Sequence, residues 1–429
     1  MALAPSLSVF SHTSYLRFWI ARVLIAGARQ MEAVTIGWQV YDLARETRSI
    51  EASAFLLGLV GLVQFLPVLL LSLVGGQAAD RLNRKYILIT AQLVRIAGTF
   101  ALIASVFLPT PVALPLIFSV AAMIGAVNAF TPAAASALYP TLVPRDILPS
   151  AIAWNSLGYQ SAAIIGPAAG GLLLVFGEHV VYSCAAVMLS VAVVSLILMK
   201  TPEHKPNHAA RGWSMVVEGL RYVGSNKIVQ GAISLDLIVV FFAGSVALLP
   251  VFARDILHVG EQGLGLLRAA PAVGAAIVAY RLASRPLSRR VGIWMFAAVA
   301  VFGVAILMFG VSRVFWLSMF ALVIHGAADM ISVYVRQSLI QLATPDMMRG
   351  RVTSVSFIFI SASNELGEFQ SGVAARLLGP VGAVIMGGFV AIGAAGLWMR
   401  LFPQLAKADR FEDVGEQAIE AAAKPSPQR

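Results

Sequence analysis

Twelve apolar runs of roughly 20 residues or more recur along this 429-residue chain, and they leave few folds open to it. Six lie at about 17–42, 53–78, 86–107, 113–138, 151–175 and 179–199, and six more at about 228–252, 263–283, 292–312, 315–342, 352–375 and 380–402. Each is long enough to cross the hydrocarbon core of a bilayer, where backbone groups must be satisfied within the segment, so each is expected to be a helix. The runs are continuous rather than alternating, which excludes an outer-membrane barrel. Only 12% of the residues are charged, about half the share in soluble domains. The expected fold class is therefore an all-α polytopic membrane protein of twelve transmembrane helices.

The net charge of +10 does not point to nucleic acid, because the basic residues gather in the joints between spans. Arg81, Arg84, Lys85, Arg145, Lys200, Lys205, Arg211, Arg285, Arg289, Arg290, Arg349 and Arg351 fall on one side. Arg45, Arg48, Arg254 and Arg313 fall on the other. By the positive-inside rule the richer side is cytoplasmic, and an even number of spans puts both termini there. The single cysteine, Cys184, allows no intrachain disulfide, and there is no His-Glu-x-x-His pair, phosphate loop or Gly-x-Ser-x-Gly elbow. Neither an enzyme, a metal centre nor a cofactor is expected. No cleavable signal pattern precedes the first span, which is expected to act as its own insertion signal.

The two sets of six look alike. Leu142-Val-Pro-Arg-Asp146 lies between spans four and five, and Leu342-Ala-Thr-Pro-Asp346 lies two hundred positions on, between spans ten and eleven. Such a duplication implies two pseudo-symmetric six-helix bundles, at 1–199 and 228–402, around a central cavity. The polar joint at 200–227 places Trp213, Val216, Val217, Leu220 and Val223 on one helical face, as expected of a short helix lying on the membrane surface. The polar tail, 403–429, is expected to be disordered.

Between spans two and three stands Gly76-Gln-Ala-Ala-Asp80-Arg81-Leu-Asn-Arg84-Lys85. This G-x-x-x-D-R-x-x-R-K loop resembles the signature of the major facilitator superfamily. Asn83 replaces a glycine common there, so the turn is expected to use asparagine's tolerance of left-handed backbone. The matching loop of the second half, Arg285-Pro-Leu-Ser-Arg289-Arg290, has Arg285 where the first has Asp80. In span five, Gly166-Pro167-Ala-Ala-Gly170-Gly171 resembles the core of the motif found in exporters of that superfamily, with Ala162 where the longer motif has glycine. Glycine permits close helix approach and proline a bend, which suits a helix that rocks against its neighbour. Val40-Tyr41-Asp42-Leu43, Leu142-Val-Pro-Arg-Asp146 and Arg349-Gly350-Arg351-Val352 are similar to the branch containing enterobactin exporters and macrolide-efflux proteins. The resemblance implies alternating access about a midplane site, and efflux as its direction.

Charges within spans are costly and point to function. In span one, Glu32 lies one turn beyond Arg29, which leaves two readings open: a proton-titrating carboxylate, or a structural pair with Arg29. Trp38 and Gln39 further along are candidate substrate-cavity groups, with Asn128 of span four, His325 of span ten and Asn364 of span eleven. Asp236 of span seven and Asp329 of span ten are further coupling candidates. In span eleven, Glu365 and Glu368 stand one turn apart, where mutual repulsion favours a shared proton. They form the favoured second-half coupling site, with Arg336 and Arg376 as partners and structural pairing as the alternative. Many proton-coupled members of the superfamily carry an arginine in span four. Span four has no charge here, so Arg29 or Arg95 of span three would have to serve. The expected function is a proton-coupled exporter of an amphipathic small molecule, a siderophore or drug, in the bacterial inner membrane and acting as a monomer. The alternatives are an importer or lipid flippase on the same fold, or a non-transporting membrane sensor. Asp80 with Arg81 and Arg84 is expected to latch onto the start of span eleven.

Overall fold

Long apolar segments free of interior helix breakers other than isolated prolines fold into long helices, because in lipid no other local structure satisfies every backbone group. The computed structural model describes residues 7–144, 146–201, 212–411 and 413, and among these it holds no strand. The chain forms α1 (Thr13–Arg45), α2 (Ile50–Arg81), α3 (Arg84–Ser105), α4 (Thr110–Leu138), α5 (Leu148–Leu173) and α6 (Glu178–Leu198). After these come α7 (Gly212–Ser225) and α8 (Lys227–Phe242). The short α9 (Leu249–Val251) is followed by α10 (Gly260–Ser284), α11 (Val291–Val311), α12 (Phe315–Leu342), α13 (Asp346–Leu401) and α14 (Pro403–Ala406).

Ten stretches of the described residues are long and apolar enough to span a membrane. The difference from twelve has two sources. The charged residues within α1 keep it out of that set, and the last two expected spans run into one, Ala362–Leu401. They are divided inside α13 at Gly379, whose φ of 74° and ψ of 160° break the helix ahead of Pro380. The seventh segment is also less regular than its sequence suggests. α8 stops at Phe242, and the chain passes through a 3-10 turn at Ser245–Leu248 and a π turn at Phe252–Ile256.

The chain divides into two compact units, Met1–Ala210 with Val259–Ala269, and Arg211–His258 with Ala270–Arg429. In the first, α1 is packed against α5 and α6, α2 against α4, and α3 against α4 and α6. Tyr15, Phe18, Leu88, Leu138 and Leu196 fill one core, and Ile36, Val40, Leu102, Ile117 and Tyr182 another. In the second, α11 is packed against α12 and α13, and α13 against α7 and α8. Large apolar side chains stay exposed on both units, among them Leu70, Phe107, Ile165, Tyr280, Trp316 and Leu377, as a surface solvated by lipid requires.

In α7, Val217 and Leu220 are exposed, while Gly219 and Val223 are buried. Gly219 faces α13, where a Cβ on it would lie 2.8 Å from Val355 Cγ2. Arg351 pairs with Glu218 at 2.5 Å, and Tyr222 and Asn226 both donate to the Ala343 carbonyl. The side chains of Trp213 and Val216 lie outside the described residues. The tail, expected to be disordered from 403, instead begins with α14: Leu405 is fully buried, and the backbone N–H groups of Val291 and Gly292 donate to the carbonyls of Asp409 and Ala408. A leucine to bury and unpaired N–H groups at the start of α11 explain this. Residues 414–429 lie outside the described residues.

Candidate functional site

Glu32 is 1% exposed and Arg95 3% exposed, and the two meet between α1 and α3. Arg95 Nε and Nη2 donate to Glu32 Oε2 at 2.9 and 2.6 Å, and Thr99 Oγ1 donates to Oε1 at 2.7 Å. Both carboxylate oxygens are therefore satisfied, the condition under which a buried charge pair is tolerated. The hydrogen bonds to Glu32 come from Arg95 and Thr99 of α3, where sequence spacing had pointed to Arg29. A helix neighbour one turn away is visible in a sequence; a partner 63 positions on is not. Thr99 was missed for the same reason.

The span-five motif packs onto the same helix, just before Glu32. A Cβ on Gly166 would stand 2.6 Å from Gln30 Cβ, and one on Gly170 would stand 2.9 Å from Met31 Cα. Gly171 meets the backbone of Gly265, which belongs to the same unit. The Gly27 carbonyl of α1 faces Gly166, 3.2 Å from where a Cβ on Gly166 would be, while a Cβ on Gly27 itself would meet Met188 of α6 at 2.8 Å. Backbone therefore lies against backbone along α1 and α5, and Pro167 removes one helix hydrogen bond inside that contact.

The second unit has its own pair. Asp236 of α8 and Arg336 of α12 form an ion pair, 10% and 8% exposed. A small cleft of about 20 Å³ is lined by Asp236, Phe302, Asp329, Ser332 and Arg336 among others. A second, of about 10 Å³, is lined by the same ion pair with Ser356, Phe359 and Ser363. Arg336 Nε and Ser356 Oγ are buried without a hydrogen-bond partner among the described residues. Arg336 was expected to serve Glu365 and Glu368; it is taken by Asp236 instead. Glu365 is half-buried, while Glu368 and Asn364 are exposed. His325 packs on Phe302 in a tilted pair with ring centroids 4.3 Å apart, and its Nδ1 has no hydrogen-bond partner among the described residues.

Two cavity candidates of the first unit turn out to be packed. Gln39 is 3% exposed, donating to Ser105 Oγ at 3.1 Å and accepting from Tyr182 Oη at 2.8 Å. Its amide ties α1 to α3 and α6 and is not available to a substrate. Trp38 is 5% exposed, whereas Asn128 is half-buried.

The loop between α2 and α3 divides its basic residues by task. Arg84 donates to the carbonyls of Ala79 and Ala137 at 3.2 Å each, and Lys85 Nζ donates to those of Ile197 and Met199 at 2.8 and 2.6 Å. They satisfy carbonyls at the ends of α2, α4 and α6, groups that a helix leaves without partners. Arg84 is thus not available to a latch. Asn83 does not adopt the left-handed backbone expected; with φ of −67° it is the N-cap of α3, its Oδ1 accepting from Lys85 N at 3.0 Å. Gly76 meets nothing, and the close approach belongs to Gly75, whose Cβ would strike the Ala129 carbonyl. Asp80 and Arg81 remain exposed. Asp80 occupies the last turn of α2, at the negative end of the helix dipole, where a carboxylate is least favoured.

Comparison with known proteins follows from this geometry. Residues 4–424 match the family described as transmembrane secretion effector. The chain is 26% identical over 376 residues to the enterobactin exporter EntS of Citrobacter koseri, covering 87% of this chain and 86% of that protein. It is also 26% identical over 379 residues to the enterobactin exporter EntS of Escherichia coli O81, with the same coverage. Among solved structures it is similar to a bacterial homologue of the human lysosomal transporter Spinster, with a TM-score of 0.66, 15% identity, and coverage of 97% of this chain and 99% of that one. A D-xylose-proton symporter gives a TM-score of 0.67 at 13% identity, over 92% of this chain and 98% of that one. At such identities the solved structures speak for the fold alone.

Proposed function

Because the chain belongs to the transmembrane secretion effector family of major facilitator transporters, we propose that it is a proton-coupled exporter of amphipathic small molecules, siderophores or drugs, working by alternating access. The observation that carries this reading is the enclosed Glu32–Arg95 pair on the helix against which the glycine-proline motif of α5 is packed. Protonating Glu32 removes the negative charge that holds Arg95. The cost of a buried arginine without a counter-charge then favours a different packing of α1, and α5 must follow because no side chains cushion the contact. Asp236 and Arg336 act likewise in the second unit, beside clefts about the size of a single water. We assign coupling to Glu32 and Asp236 in preference to Glu365 and Glu368 for their enclosure.

Each proton that enters down a potential of 100 mV supplies about 2.3 kcal/mol. In this reading the protein acts as a monomer in the inner membrane, with both termini cytoplasmic, and Asp80 with Arg81 closes the cytoplasmic side. Efflux is supported by the enterobactin exporters among its relatives. The test is transport into everted membrane vesicles from cells that produce the chain. Accumulation of enterobactin or of an amphipathic dye inside energised everted vesicles is expected; accumulation only in right-side-out vesicles would make the protein an importer.

A further inference from the structure

A second polar feature of the first unit takes no part in the coupling scheme. Arg22 lies on α1, two turns before Arg29, within a segment long enough to span the membrane. Its Nε is buried and has no hydrogen-bond partner among the described residues. Among the described residues, the groups interacting with it are the Tyr159 ring, 5.9 Å from the guanidinium carbon, Tyr139, and the like charge of Arg29, and none of these is a carboxylate. Two further buried polar atoms have no hydrogen-bond partner among the described residues, one turn along α5 from Tyr159: the indole N–H of Trp154, whose ring packs on Phe10 and Trp19, and the Asn155 Oδ1. Buried polar groups in folded proteins are nearly always paired, so three orphans on two adjacent helices call for a ligand. The face is reachable, because Tyr159 is 40% exposed and Ser156 and Gln160 beside it are exposed as well.

We propose that Arg22 and Tyr159, with Trp154 and Asn155, form a capture site for an organic anion that carries an aromatic ring. The guanidinium supplies the missing counter-charge and a fork of donors suited to a planar anionic group. The exposed Tyr159 ring offers a stacking surface, and it already faces the cation that the anion would meet. The indole N–H donates to a second acceptor of the ligand, and Asn155 accepts from a hydroxyl. The proposal names the substrate class of the exporter read above and rests on that reading only for the direction of movement. An anion leaving a cell that is negative inside moves down the membrane potential, which adds to the proton drive.

The test is binding of two dyes with the same xanthene core, anionic fluorescein and cationic rhodamine 6G, to the full-length protein in lipid nanodiscs by fluorescence polarisation. Fluorescein is expected to bind the tighter. Arg22→Gln should weaken fluorescein about tenfold or more, the scale of a lost charge-assisted hydrogen bond, and leave rhodamine 6G unchanged. Arg22→Lys should restore most of the loss, and Tyr159→Ala should weaken fluorescein several-fold. Arg22→Gln changing both dyes equally, or neither, would overturn the site. Because binding is read without a gradient, charge selectivity without efflux keeps the site and removes the export reading. Proton-dependent efflux of fluorescein that ignores Arg22→Gln removes the site and keeps export.

Discussion

Arg95 of α3 holds Glu32 of α1 through two hydrogen bonds to a single carboxylate oxygen, and Thr99 holds the other oxygen. Both side chains are almost fully buried, which makes each member depend on the other. Replacing one leaves the other charged and buried; Arg95→Gln or Glu32→Gln alone should cost roughly 3–5 kcal/mol of stability. The double replacement should recover a large part of that. Thermal unfolding of the purified protein in nanodiscs checks it, and equal, additive losses from the two single changes would show that the pair is not coupled.

The loop after α2 should separate stability from transport. Arg84→Ala and Lys85→Ala remove donors to helix-end carbonyls and should each lower stability by about 1–2 kcal/mol. Asp80→Asn should leave the unfolding temperature unchanged or raise it slightly, since the carboxylate opposes its own helix dipole, while slowing transport. Unfolding curves and transport rates of the three variants, measured side by side, decide the matter.

Two neighbouring glycines should respond in opposite ways. Gly76→Ala meets no atom and removes a flexible residue from a helix, so it should stabilise by roughly 0.5–1 kcal/mol. Gly75→Ala drives a methyl into the Ala129 carbonyl and should destabilise by about 1–3 kcal/mol. The same range applies to Gly170→Ala, which meets Met31 Cα. Comparing unfolding temperatures for these three single variants is sufficient.

In the second unit, Asp236→Asn should leave Arg336 buried without its counter-charge, and Arg336→Gln should leave Asp236 so. Each should lower stability by about 3 kcal/mol or more, and the double variant should be better tolerated than either while failing to couple transport to protons. Replacing Glu365 and Glu368 together by Gln should have a smaller effect on coupling than Asp236→Asn. Proton-driven uptake into proteoliposomes ranks the four variants.

The helical membrane fold was legible because apolar runs of spanning length and basic joints are local signals. The helix boundaries of α3 and α6 fall within a few residues of the runs. The pairing of charges was not. Arg29 stood one turn from Glu32 and drew the eye, but the hydrogen bonds run to Arg95, whose nearness depends on how α1 and α3 pack. Arg336 was correctly marked as a charge partner and assigned to the wrong acids, because Asp236 lies 100 positions away on α8. Gln39 looked like a substrate ligand since its partners, Ser105 and Tyr182, are brought to it only by tertiary packing. The capping work of Arg84 and Lys85 was hidden too, as a motif does not tell which of its basic residues face inward.

Proton coupling through the enclosed carboxylates is the central claim, and its most direct test is energised uptake of a transported dye into everted vesicles, with and without a protonophore. The wild-type chain should accumulate the dye only while the proton gradient stands, and the Glu32→Gln/Asp236→Asn double variant, if present at the same level in the membrane, should lose that gradient-driven accumulation. Uptake at the full rate in the presence of the protonophore, or undiminished gradient-driven uptake by the double variant, would contradict it.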